Sequence, residues 1–146
     1  MTDSPAASRA AQPGDRLIRR IIRIELVTLA VTFFVFASLH LGVHPLVIQE
    51  PRILPAAVVE TVCGLCFAVA AGAAFTGATW AWPAAVWAHA ISVSGVLLGI
   101  LAQARSAGST ELNFVYHRVV LVVLLASLIL LLIRRGRIRL AMGAGR

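Results

Sequence analysis

Four long apolar segments constrain the fold of this chain more than any other feature. They cover about residues 20–41, 54–75, 80–104 and 113–133, and short polar connections separate them. A helix needs roughly 20 apolar residues to cross a bilayer, and a membrane-spanning backbone must satisfy its own hydrogen bonds. Hydrophobic residues make up 60% of the chain, more than in soluble domains. The sequence therefore predicts an all-α integral membrane protein, a four-helix bundle that runs up-down-up-down.

The distribution of arginine predicts the orientation of the spans. All 13 basic residues are arginine, and three of them, Arg52, Arg105 and Arg118, lie on or near one side. The other ten lie towards the chain ends: Arg9, Arg16, Arg19, Arg20, Arg23, Arg134, Arg135, Arg137, Arg139 and Arg146. Because basic residues accumulate on the cytoplasmic side, we expect both termini in the cytoplasm and the protein in the plasma membrane.

The same pattern divides the chain into one domain and two tails. Residues 15–139 form a single transmembrane domain in this interpretation. Residues 1–14 are rich in Ala, Ser, Pro and Gly, which predicts a disordered cytoplasmic tail. Residues 140–146 are predicted to form a second, short cytoplasmic tail.

A basic helix face precedes the first span. Arg16, Arg19, Arg20 and Arg23 recur at helical spacing, so their four guanidinium groups share one face. This face is predicted to contact anionic lipid headgroups before the helix enters the bilayer. The long apolar run that follows, with a poor cleavage pattern, favours an uncleaved anchor over a signal peptide. Since the arginines flank apolar runs and do not alternate with aromatic residues, no nucleic-acid partner is expected.

Small residues recur on the second and third helices. Gly95 and Gly99 form a GxxxG pattern, and Gly64, Ala68 and Gly72 recur every four residues. Such stripes let helix backbones approach closely in lipid. They predict packing of helices two and three within the monomer. The alternative is a seam for a second copy or for a partner in a membrane complex, through Gly95 and Gly99.

Polar residues that the topology places at similar depth form the main candidate site. Ionisable groups inside a membrane are costly and often functional. The predicted outer polar layer contains His40, Glu60, Gln103, Asn113, Tyr116, His117 and Arg118. One interpretation is a hydrogen-bond network that ties the helix ends together. The other is a small site, open to the outer face, for a metal ion, a lipid headgroup or a small polar ligand.

Histidines in this layer raise the question of a cofactor, although none is the leading expectation. Imidazole and carboxylate groups suit Zn or Cu, and the candidate ligands are His40, His44, Glu60 and His117. Haem would need axial ligands at one depth, and His40 with His117 meets that condition. The sequence contains no short-spaced metal motif. His89 is predicted to be an interior histidine, hydrogen-bonded to a neighbour such as Ser92.

Cys63 and Cys66 have the CxxC spacing of thiol redox motifs. A small membrane oxidoreductase that passes electrons from thiols to quinones would use such a pair. Both cysteines, however, fall deep in an apolar run, where a thiol is inert and where cysteine is an ordinary packing residue.

The sequence thus favours a non-enzymatic membrane protein, a binding or accessory subunit with a polar pocket in the outer leaflet. One alternative is a small membrane oxidoreductase linked to thiols and quinone, a metal ion or haem. The other is a small-solute or ion transporter, which at this length would have to oligomerise.

Overall fold

Four helices make up nearly all of the described chain. A computed structural model describes residues 13–43, 50–105, 110–136 and 138. The helices are α1 (Pro13–His40), α2 (Leu54–Thr76), α3 (Ala81–Arg105) and α4 (Glu111–Ile133). Each is long and apolar enough to cross a membrane. The prediction of an all-α protein with four such helices is therefore confirmed.

The first helix is longer than a single span needs. Its 28 residues extend about 42 Å at 1.5 Å per residue, against a hydrocarbon core of about 30 Å. The basic entry segment and the first span are thus one continuous helix. Pro13 and Gly14, predicted in the tail, are its first residues. The rest of the predicted N-terminal tail and the whole C-terminal one lie outside the described residues.

Local sequence signals define both ends of α2. Pro55 occupies the first turn, where its missing N–H costs no helical hydrogen bond. Gly77 ends the helix in the left-handed region, at φ +67°, and its N–H donates to the Ala73 carbonyl. A side chain with a Cβ would be strained in that conformation.

Arg23 of α1 also contacts the end of α2. Its Nε and Nη2 atoms donate to the Ala74 carbonyl at 3.0 and 2.8 Å. The last carbonyls of a helix have no partner within it and carry partial negative charge. Arg23 therefore supplies a charged cap, while Arg16 and Arg20 of the same predicted face are exposed.

The start of α4 is linked to the segment before α2. Thr110 is the N-cap of α4, and its hydroxyl accepts from the Asn113 N–H at 3.1 Å. The same hydroxyl donates to the Glu50 carboxylate at 2.7 Å, and Glu50 is only 4% exposed. A buried carboxylate before α2 is thereby held against the first turn of α4.

Consecutive helices pack against one another, and aromatic rings mark the contacts. Phe33 of α1 stacks on Phe67 of α2 at 5.8 Å between ring centroids, and Phe67 meets the edge of His89 of α3 at 4.9 Å. Phe36 of α1 stacks on Tyr116 of α4. Since α4 contacts both α3 and α1, the four helices surround a common core.

The outside of this bundle is as apolar as its interior. Val31, Val62, Ile91 and Val122, one from each helix, are between 41% and 67% exposed. The buried residues include many alanines and several polar groups: His40, Glu60, His89, Ser92, Asn113 and His117. Apolar side chains outside and polar ones inside are expected of helices solvated by lipid. The chain is a multi-pass membrane protein.

The GxxxG glycines of α3 face two different helices. A Cβ on Gly95 would lie 2.9 Å from Val59 Cγ1 of α2. A Cβ on Gly99 would overlap the imidazole of His117 on α4. Both glycines therefore make room for neighbours within the monomer. Their use as a seam for a second copy or partner stays a prediction.

The small residues of α2 do not pack on α3 as predicted. Gly64 faces the ring of Phe34 on α1, with 3.0 Å from its Cβ position to the nearest ring carbon. Ala68 and Gly72 are exposed, and no atom lies within 4 Å of a Cβ on Gly72. The prediction that α2 and α3 pack together is confirmed, but the assignment of Gly64 to that contact was wrong, because the ring of Phe34 on α1 occupies the space beside it.

Candidate functional site

A buried histidine–carboxylate pair joins α1 and α2. His40 closes α1 and is completely buried, and Glu60 of α2 is 4% exposed. The His40 Nδ1–H donates to Glu60 Oε2 at 2.8 Å. The remaining polar atoms of the pair, His40 Nε2 and Glu60 Oε1, are buried without a hydrogen-bond partner in the described part of the chain.

A second polar group lies on α4 beside this pair. Asn113, Tyr116 and His117 share the buried face that their spacing predicted. The His117 Nδ1–H donates to the Asn113 carbonyl at 2.9 Å, and the Gln103 amide of α3 donates to the same carbonyl at 3.2 Å. Tyr116 packs edge-on against the His117 ring. Among the described residues, its buried hydroxyl has no hydrogen-bond partner.

A cavity of about 210 Å³ connects the two groups. Its polar wall consists of Glu60, Tyr116 and His117, and apolar residues of α1, α2 and α3 complete the lining. We call it the Glu60 cavity. Two of its lining residues, Leu98 and Ala102, are also exposed on the outside of the bundle. Pro55 of α2 also lines the cavity and is exposed, so the cavity opens between α2 and α3. We call this opening its mouth.

Two residues that line this cavity have buried polar atoms without a hydrogen-bond partner in the described part of the chain, Glu60 Oε1 and the Tyr116 hydroxyl. A buried polar atom without a hydrogen bond costs about 1–3 kcal/mol. Glu60 Oε1 can only accept while the carboxylate is ionised, whereas the Tyr116 hydroxyl can donate or accept. A ligand with one hydroxyl-type group would satisfy both. An enclosed water could do the same, since such waters need two to four polar partners.

Arg118 lies away from this arrangement. Arg118 is exposed, donates to the Phe114 carbonyl at 3.1 Å and lies over the Phe114 ring. One residue step on a helix is about 100°, which turns it away from His117. The structure therefore does not bring Arg118 to the cluster, and His44 lies outside the described residues.

The metal and haem interpretations stay predictions. Among the described residues, no group of three or more His, Cys, Asp or Glu is arranged to hold a metal ion. His40 and Glu60 are in contact, but His117 directs Nε2 against Gly99. A metal ion or haem iron on that nitrogen would require the ring to move.

The two cysteines differ in their surroundings. Cys63 is 1% exposed, lines the Glu60 cavity and packs its sulfur beside Gly95. Cys66 lies one turn further along α2 and is half-buried, and both are free thiols. Whether the pair is redox active stays a prediction.

A second polar cluster, which sequence reasoning missed, joins three helices near the Arg23 end of the bundle. The Ser127 hydroxyl of α4 donates to Glu25 Oε1 of α1 in a very short contact. His89 Nε2 of α3 lies 3.7 Å from the same oxygen. The Nδ1–H of His89 donates to the Ala85 carbonyl at 2.8 Å. His89 is interior as predicted, but its partner is not Ser92, because helical side chains point back towards the preceding turn.

Glu25 also lines a second cavity, of about 220 Å³, between α1 and α4. Its other lining residues are Ile18, Ile21, Ile22, Ser127, Leu130, Leu131, Arg134 and Ile138. We call it the Glu25 cavity. The Glu25 side chain remains 25% exposed. Ionisable side chains within membrane helices usually pair with another polar or charged group, so Glu25 favours a cationic or hydrogen-bonding neighbour in this cavity.

The sequence contained a partial signal for this cluster. Glu25 is the one acidic residue in the first apolar segment, and Ser127 interrupts the most apolar helix. Both residues could have been noted on those grounds. Their contact, together with that of His89, depends on the rotation of three helices.

Comparisons with protein-family models, with curated proteins and with solved structures gave no match. The geometry of the two polar clusters is therefore the basis for a functional proposal.

Proposed function

We propose that the protein is a non-enzymatic binding or accessory subunit of the plasma membrane that holds an uncharged, hydroxyl-bearing amphiphile in the Glu60 cavity. One observation carries the proposal: Glu60 Oε1 and the Tyr116 hydroxyl are buried without partners in residues that line one cavity. A ligand hydroxyl would donate to the carboxylate and accept from the phenol. The apolar walls would contact its chain.

The charges around the cavity support an uncharged headgroup. His40 already donates a hydrogen bond to Glu60 Oε2, which leaves Oε1 to accept from a neutral donor. Arg118, a predicted site residue that could have neutralised a phosphate, is exposed on another face of α4. An anionic headgroup would therefore enter a low-dielectric site without a counter-charge, which is costly.

The proposal includes an orientation. The contacts of Arg23 with the end of α2, and of His40 with Glu60 near its start, support an up-down-up-down path. Arginines concentrate at the Arg23 end, so the positive-inside rule favours cytoplasmic termini. The Glu60 cavity then lies in the outer leaflet, with its mouth towards lipid between α2 and α3.

The test compares a long-chain isoprenoid alcohol with its methyl ether, which cannot donate to Glu60. Binding to purified protein in detergent is measured by calorimetry. We expect the alcohol to bind about tenfold more tightly, since a hydrogen bond to a charged group contributes about 1.5–3 kcal/mol. Tyr116→Phe should weaken alcohol binding without loss of stability, because its hydroxyl has no described partner.

Arg118→Gln is the matched control and should bind the alcohol like the wild type, because Arg118 is exposed. Equal affinity for the alcohol and the ether, or unchanged binding in Tyr116→Phe, would refute the proposed site. Glu60→Gln adds a second test, since it preserves the shape of the cavity while removing the charge.

A second candidate function uses the thiols. Cys63 lines the same cavity, so a quinone ring bound there would lie near one thiol of the CxxC pair. Oxidation of Cys63 and Cys66 to a disulfide would release two electrons and two protons, which reduce the quinone to a quinol. Cys63→Ser should then abolish quinone reduction by a dithiol donor. Equal rates in the variant and wild type would remove this candidate.

A further inference from the structure

The Glu25 cavity differs from the Glu60 cavity in carrying two opposite charges. Glu25 and Arg134 both line it, one from α1 and the other from just beyond the end of α4. The Glu25 carboxylate is 25% exposed, and Arg134 is exposed. A ligand in this cavity therefore meets an anionic group and a cationic group separated by an apolar wall.

Side chains of α3 and α4 already approach one oxygen of the Glu25 carboxylate. The Ser127 hydroxyl donates to Oε1, and His89 Nε2 approaches that oxygen at 3.7 Å. His89 is 1% exposed, and its Nε2 has no hydrogen bond among the described residues. The Ser127 hydrogen bond therefore holds one oxygen of the Glu25 carboxylate, and part of the Glu25 side chain is exposed at the cavity.

We infer that the Glu25 cavity binds the headgroup of an aminophospholipid, with the ammonium on Glu25 and the phosphate on Arg134. Charge complementarity to both residues requires a zwitterion. A primary ammonium can donate hydrogen bonds to the carboxylate, whereas a quaternary one cannot. The cavity volume of about 220 Å³ is several times the roughly 30 Å³ that one water occupies in the liquid.

The position of the cavity favours a lipid over a soluble zwitterion. Its lining residues Ile21 and Leu130 are 54% and 56% exposed on the outside of the bundle. An acyl chain would continue from the headgroup onto this apolar surface between α1 and α4. The inference is independent of the proposed function, because it uses another cavity and other residues.

The experiment measures binding of four phospholipids with identical acyl chains to the delipidated, purified protein. The headgroups are ethanolamine, its N-monomethyl and N-dimethyl derivatives, and choline, so that the number of N–H donors falls from three to zero. Binding is followed by native mass spectrometry. We expect affinity to fall along the series, by about tenfold or more from ethanolamine to choline.

Variants separate this site from general lipid contact. Glu25→Gln should lose the preference for ethanolamine over choline, while Arg134→Gln should weaken binding of all four lipids. Arg118→Gln, which removes an exposed arginine outside both cavities, is the control and should keep the preference. Thermal unfolding without lipid checks that each variant is folded.

Equal affinity along the methylation series would overturn the inference, and so would an unchanged preference in folded Glu25→Gln. If Glu25→Gln proves unstable, Ser127→Ala serves as the second variant, because it releases the carboxylate from its support on α4. If folded Ser127→Ala keeps the wild-type preference for ethanolamine over choline, that result also counts against the site.

Discussion

Gly99 allows a direct test of how α3 packs against α4. A Cβ on Gly99 would lie 2.6 Å from His117 Cδ2 and closer still to Nε2. In Gly99→Ala the imidazole must therefore move, and the movement breaks its hydrogen bond to the Asn113 carbonyl. The variant thus loses packing and a buried hydrogen bond together.

The expected magnitude combines three contributions. Overpacking a filled interior costs about 1–3 kcal/mol, and a lost hydrogen bond costs about 0.5–1.5 kcal/mol. Alanine regains about 0.5–1 kcal/mol over glycine in a helix interior. We therefore expect Gly99→Ala to lower the free energy of unfolding by about 0.5–4 kcal/mol.

Gly72 provides the matched control. It also lies inside a helix, but no neighbouring side chain or other helix of the described residues comes within 4 Å of the position of its Cβ. Gly72→Ala should therefore gain up to about 1 kcal/mol, from the helix contribution alone. The same change from glycine to alanine is therefore expected to lower the free energy of unfolding at position 99 and to raise it at position 72.

The assay is unfolding by sodium dodecyl sulfate in mixed micelles, followed by circular dichroism. His117→Ala removes the ring, so Gly99→Ala in that background should cost little, with an interaction energy of about 1–3 kcal/mol. Similar stabilities for Gly99→Ala and Gly72→Ala would refute the packing argument. A seam between copies predicts instead that the loss depends on protein concentration and persists in the His117→Ala background.

Three further predictions concern contacts between helices. His40→Ala leaves the Glu60 carboxylate buried without its partner and should lower the free energy of unfolding by about 3–5 kcal/mol. Glu60→Gln keeps an acceptor for His40, so a larger loss of stability in Glu60→Gln than in His40→Ala would contradict the pairing. Thr110→Ala removes the N-cap of α4 and should cost about 0.5–2 kcal/mol, which Thr110→Ser should restore in thermal unfolding. Arg23→Gln removes the charged cap of α2 and should cost about 0.5–2 kcal/mol, whereas exposed Arg16→Gln should change stability by less than about 0.5 kcal/mol; equal losses would exclude the cap.

The elements of the fold could be predicted because they depend on length and local chemistry. A run of about 20 apolar residues has few alternatives to a spanning helix. Within one helix, spacing also determines which residues share a face. Asn113, Tyr116 and His117 were grouped on that basis, and all three are buried.

Relations between helices could not be predicted in the same way. In water, an amphipathic pattern shows which face of a helix is buried. In a membrane, both faces are apolar, and the pattern carries little information. Gly64 was assigned to the α2–α3 contact, but the ring of Phe34 on α1 occupies the space beside it. Likewise, Glu25 and Ser127 are 102 positions apart and meet only after α1 and α4 have packed.

The pairing of His40 with Glu60 lies between these two cases. α1 ends at His40 and α2 begins at Leu54, so in two consecutive spans that run in opposite directions these two helix ends lie on the same side of the membrane. Depth alone therefore brought both residues into the predicted layer. The 2.8 Å contact between them also requires a specific rotation of each helix, which the cost of burying an unpaired carboxylate helps to select.

The two cavities have a common consequence for how binding should be measured. Both have exposed apolar residues in their lining, Leu98 at one and Ile21 with Leu130 at the other. A ligand that enters between helices comes from the bilayer, so its effective concentration is its mole fraction among the lipids. Dilution of the aqueous phase should leave occupancy unchanged, whereas dilution with inert lipid should lower it. Because Glu25 and His40 are about 22 Å apart along α1, and the two cavities share no lining residue, the two sites can be occupied at the same time.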